Sequence, residues 1–173
     1  MKRSQSSSKT VRGKRFIKGL VRDGKLHEYV NSQYTLNVFL VNGTFEEYKA
    51  VVGYYFGKEV AESLGDGETY CAHTLRSQLP SGAYCYAVWL QDAGPDTLVN
   101  AVHECVHATG FALADCNLPT DIENEKTSEA VAYLTADMFR FVASRLYPEL
   151  GISVNHELLG EFKDAEPTKT NER

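Results

Sequence analysis

The spacing of apolar and polar positions changes once along this chain, near residue 95. Before it, short runs are β-branched and aromatic; after it, apolar residues return every three or four positions. The run from Tyr34 to Val41 is almost wholly apolar and is closed by Asn42-Gly43, a turn signal, which predicts a core strand. Thr44-Phe45-Glu46-Glu47 has the Thr-x-x-Glu form of a capping box. A helix is therefore expected from there through Tyr48, Val51 and Val52, ending near Gly53 or Gly57. A short second helix is expected over Lys58–Ser63. Two strands, Glu68–Leu75 and Ala83–Gln91, then form a candidate hairpin across Pro80-Ser81-Gly82.

Asp96 follows a turn with Pro95 and offers an N-cap. Beyond it Leu98, Val99, Ala101, Val102, Cys105, Val106 and Phe111 recur at helical spacing. Residues 115–125 are polar and interrupted by Pro119. Helical spacing resumes from Thr127 to Leu146 with Val131, Leu134, Met138, Phe141 and Val142 on one stripe, and Pro148 and Gly151 mark its end.

Length and composition narrow the class. At 173 residues, 43% of them hydrophobic and 24% charged, the chain suits one globular domain and excludes wholesale disorder, collagen-like repeats and a disulfide miniprotein. The formal charge of −5 conceals a division. Residues 1–25 carry nine Lys/Arg against one acid, a formal +8. The remainder carries nine basic against 22 acidic side chains, a formal −13. Residues 1–15 are expected to be a basic, flexible arm, 16–160 the folded domain, and 161–173 a polar tail. The charged start lacks an apolar stretch after it, so no secretory signal is expected, and no apolar run is long enough for a membrane span. A cytoplasmic protein follows, with Cys71, Cys85, Cys105 and Cys116 reduced and acting as small buried hydrophobes. Nucleic acid could be engaged only through the basic arm, because the acidic body repels phosphate.

The chemistry concentrates in His103-Glu104-Cys105-Val106-His107, inside the first strongly periodic helix. At about 100° per residue, positions four apart lie within about 40° of each other, so both imidazoles project from one face and could share one ion. Neutral imidazole suits Zn²⁺, and Glu104, one position round, is placed to act as general base on a metal-bound water. Cys105, about 200° from His103, should face into packing and is not counted as a ligand. Cys71-Ala72-His73 has no partner motif that would make it a second metal site.

This motif resembles that of the zincin metallopeptidases over about residues 68–146, and the whole chain more loosely resembles small His-Glu-x-x-His proteins of tailed bacteriophages. The resemblance implies an α+β fold: a small mixed sheet whose edge strand packs on the motif helix, and a second helix delivering a third ligand. Ala83–Gln91 would be that edge strand, along which a peptide substrate is bound by strand addition. Gly110 extends the motif in the metzincin manner, but Leu113 stands where that group has its third histidine. The gluzincin pattern then implies Glu129 as third ligand beside His103 and His107, with one zinc per chain. Glu129, Ala132, Tyr133 and Ala136 share one helix face, and the small alanines would permit close approach to the motif helix. Glu123, Glu125 and Asp115 are rival ligands. Tyr133, His73, Tyr147 and His156 are candidates for oxyanion stabilisation, and Tyr133 is expected to be catalytic beside Glu104. The resulting expectation is a zinc metallopeptidase acting on a protein or peptide, in host cytoplasm if phage-encoded. The alternative is a zinc protein that keeps the fold to bind or inhibit and cleaves nothing. The sequence leaves substrate and oligomeric state open.

Overall fold

The computed structural model describes residues 5–31, 36–67, 71–79, 82–91, 96–118 and 125–152, with side chains described from Gly13 in the first helix and from Thr127 in the last. Its elements are α1 (Gln5–Arg22), β1 (Leu26–Asn31), β2 (Leu36–Asn42), α2 (Phe45–Tyr55), α3 (Lys58–Ser63), β3 (Ala72–Gln78), β4 (Tyr84–Leu90), α4 (Thr97–Asp115) and α5 (Glu125–Leu146), followed by a 3₁₀ turn at Pro148–Leu150. The class is α+β, as expected from the sequence. The four strands form one mixed sheet in the order β1-β2-β4-β3, with β2 and β4 parallel and the two outer pairings antiparallel.

Period-two alternation sorts the sheet's side chains into two cores. Leu36, Val38, Leu40, Tyr86, Val88 and Leu90 face α4 and α5, where they meet Ala101, Cys105, Ala108, Leu134, Met138 and Phe141. Phe39, Val41, Cys85, Ala87 and Trp89 face the opposite side and pack with Ile17, Leu20, Tyr48, Val51 and Val52. Helices thus cover both faces, which explains why β2 and β4 read as nearly continuous apolar runs.

The capping box is formed as the sequence predicts: the Glu47 amide donates to the Thr44 hydroxyl at 3.2 Å and the Thr44 amide to the Glu47 carboxylate at 2.9 Å. Lys25 adds an ion pair to Glu47 at 2.8 Å. Partial burial pulls the Glu47 carboxyl up, but the Lys25 ammonium and the Thr44 donors outweigh it and hold it below the ordinary value. Its stabilising contribution is present above the ordinary glutamate pKa and is lost as pH falls through the lowered one. Thr44→Ala should cost about 1 kcal/mol, read by denaturant unfolding of the two proteins side by side.

Several expectations change. Residues 5–22 are helical rather than a loose arm, because Ile17 and Leu20 are buried in the second core and the anchored turns propagate the helix toward the N-terminus. Residues 1–4 and 153–173, and with them the expected polar tail, lie outside the described residues. Strand β1 was not anticipated: its buried residues, Leu26, Tyr29 and Asn31, fit no two-residue period. The segment Ala83–Gln91 does contain a strand, but β4 is interior, hydrogen-bonded on both sides, so it is not the edge. The edges are β1 and β3, and β3 is the one against α4. Asp96 stands at the N-cap of α4 without a side-chain capping bond. All four cysteines are free, but only Cys85 and Cys105 are buried; Cys71 is exposed and Cys116 half-buried. No helix among the described residues is long and apolar enough to cross a membrane.

Candidate metal centre

Helix α4 lies against β3 and β4 with Ala101, Glu104, Cys105, Ala108, Ala112 and Leu113 buried, and its opposite face exposed. His103 and His107 are both on the exposed face. Their Nε2 atoms are 3.0 Å apart and their rings meet edge to face, with centroids 4.6 Å apart. At that separation either one ring donates an N–H to the other or both offer lone pairs to a shared cation. Two imidazoles bound tetrahedrally to zinc at about 2.0–2.1 Å would have their nitrogens about 3.3 Å apart, so the pair fits a zinc ion with a shift of a few tenths of an ångström.

Glu104 is turned the other way, between α4 and the edge strand, and is only 5% exposed. Thr74 on β3 donates its hydroxyl to Glu104 Oε2 at 2.5 Å and also lies 3.2 Å from the Glu104 carbonyl oxygen. Among the described residues no Lys or Arg forms an ion pair with Glu104. A buried carboxylate with one hydroxyl partner and no cation is an electrostatic deficit, which a divalent ion on the neighbouring histidines would offset.

The Glu104 charge is felt around it. Burial first, and then Glu104, pushes the Cys105 thiol up to about 12, so this cysteine is an inert packing residue, facing inward as its helical position predicts. The buried Tyr48 phenol is raised by burial and by the same carboxylate, and its hydroxyl is 2.8 Å from His73 Nδ1. His73, on β3, is lowered first by burial and further by His107, against a raising effect of Glu104. Thr74 and the Tyr48–His73 pair thus belong to the surroundings of the motif. The sequence offers His73 but no local signal for Thr74 or Tyr48, which reach the site only through the β3 register and the packing of α2.

Asp115, at the end of α4, is fully engaged: Arg76 pairs with it through two nitrogens and the Tyr86 hydroxyl donates to it at 2.5 Å. It clasps α4 to β3 and β4 and is not available as a ligand.

The other expected site residues are not brought to the histidines. Glu129 and Tyr133 are exposed on α5, as are Ala132 and Ala136, so the face expected to approach α4 is the solvent face. Met138, which the Thr109 hydroxyl of α4 contacts at 3.7 Å, lies about 180° around α5 from Glu129. Helix α5 packs through Leu134, Met138, Phe141 and Val142, because those larger apolar side chains bury more area than two alanines. Among the described residues no three His, Cys, Asp or Glu side chains are grouped to hold a metal. Glu123, His156 and the side chain of Glu125 lie outside the described residues, and Tyr147 is half-buried beyond the end of α5.

No family model matches this chain, and neither a curated protein nor a solved structure matches it.

Proposed function

We propose that this protein binds a zinc ion through His103 and His107 and acts as a metal-dependent hydrolase of peptide bonds, with Glu104 as general base. The observation that carries the reading is the pairing of two convergent imidazole nitrogens, 3.0 Å apart, with a buried carboxylate one residue away that has no cationic partner among the described residues. Bound there, zinc would supply Lewis acidity, lowering the pKa of a coordinated water and polarising a substrate carbonyl. Thr74 holds one oxygen of Glu104 and so fixes the carboxylate's orientation. The other oxygen can then accept a proton from water and return it to the departing amine. Because Glu104 sits between α4 and β3, a substrate would have to approach along the β3 side of the histidine pair for the carboxylate to act on it.

A non-catalytic zinc protein is the second reading, favoured by the grouping of only two ligand side chains among the described residues. Zinc titration against a competing chelator tests the ligand assignment. His103→Ala should weaken binding on the order of 100-fold or more, whereas Glu129→Gln, whose side chain lies on the solvent face, should change it by less than about twofold. A large loss in Glu129→Gln would mean that metal binding repositions the first turns of α5. Equal zinc affinity in the native protein and His103→Ala would remove the reading.

A further inference from the structure

Two histidines make half of a tetrahedral shell, and among the described residues the face that carries them is exposed. Val99, Val102 and Val106 are 69%, 42% and 49% exposed and flank His103 and His107 along the outer side of α4. These positions are separated by three and four residues, so they form a continuous apolar ridge. Helix α4 itself has no Lys or Arg, and its two acids are Glu104, buried against β3, and Asp115, clasped by Arg76 and Tyr86; the exposed Asp96 at its N-cap stands at the end of the ridge, three residues before Val99. In a protein whose residues beyond 25 carry a formal −13, an apolar ridge with an acid only at its end is where two copies can meet with little repulsion.

We propose that a second copy of this chain is the occupant of this face, and that one zinc shared between the His103–His107 pairs of the two copies holds them together. The association is isologous: the same ridge serves both sides and each pair supplies two of four imidazole nitrogens. Four nitrogens close the tetrahedral shell and leave no position for water, so the dimer is a resting form in which hydrolysis is off. Excess zinc lets each chain load its own ion and returns the active monomer. This rests on the reading that the histidine pair binds zinc.

Sedimentation of the full chain during a zinc titration tests it. The expected sequence is a monomer in chelator, a dimer at one zinc per two chains, and a monomer again in excess zinc. His107→Ala should abolish the dimer. Val102→Asp with Val106→Asp should weaken it roughly tenfold or more through like charges across the interface while still binding zinc. A protein that binds zinc yet stays monomeric at every ratio overturns the dimer and leaves the zinc reading standing. A dimer that persists in chelator, or in His107→Ala, also overturns it, because another surface is then responsible. No zinc binding at all overturns both.

Discussion

Glu104→Gln is expected to lower zinc-dependent peptide hydrolysis by about 10²–10⁴-fold, the usual contribution of a positioned general base, while zinc content and folding are retained. The amide is isosteric with the carboxylate and can still accept the Thr74 hydroxyl that meets Glu104 Oε2 at 2.5 Å, so packing between α4 and β3 should survive. What it lacks is basicity. The uncompensated buried charge also disappears, so the variant should be at least as stable as the native protein without metal. The assay is cleavage of a mixed peptide pool followed by mass spectrometry, with zinc measured on the same samples. Undiminished cleavage in the variant would remove Glu104 from the chemistry. Absence of cleavage in the native, zinc-loaded protein would favour the binding protein that cleaves nothing.

The largest expected effect on stability lies on the other face of the sheet. Trp89 is 1% exposed, stacks on Tyr48 with ring centroids 5.8 Å apart, meets Phe45 edge to face at 5.1 Å, and donates its indole N–H to the Gly43 carbonyl at 2.7 Å. Trp89→Ala leaves a cavity and an unpaired carbonyl, and should cost about 3–5 kcal/mol, or on the order of 10 °C in Tm for a chain of this size. Because Tyr48 also meets His73, the loss should propagate toward the edge strand beside the motif. Calorimetry of the variant reads the cost, and a shift of only a degree or two would show that α2 collapses onto the vacated space.

How much of this was legible beforehand depends on how local each signal is. The capping box at Thr44, helix α3 and the long helices follow from turn residues and apolar spacing within a few positions and appear where that spacing puts them, whereas the first hairpin strand, expected over Glu68–Leu75, is observed at Ala72–Gln78, with residues 68–70 outside the described residues. Helix α1 was not legible because its N-terminal half is polar; its order comes from Ile17 and Leu20 docking on a sheet formed later in the chain. The edge position of β3 depends on which strands pair, which a single strand's sequence does not encode. At the site, the convergence of His103 and His107 follows from helix geometry alone, so it was readable. The placement of Glu129 required knowing which face of α5 packs. There the apolar stripe through Leu134 and Met138, itself visible in the sequence, decides against the alanine face. Thr74, 30 residues from its partner Glu104, has no sequence signal at all.

The central claim is that His103 and His107 hold zinc, and X-ray absorption at the zinc edge tests it most directly, on dilute protein with excess zinc removed. The predicted spectrum has imidazole nitrogens at about 2.0–2.1 Å, and the imidazole contribution disappears in the His103→Ala, His107→Ala double variant. A zinc environment without imidazole, or one unchanged by the double substitution, would contradict it.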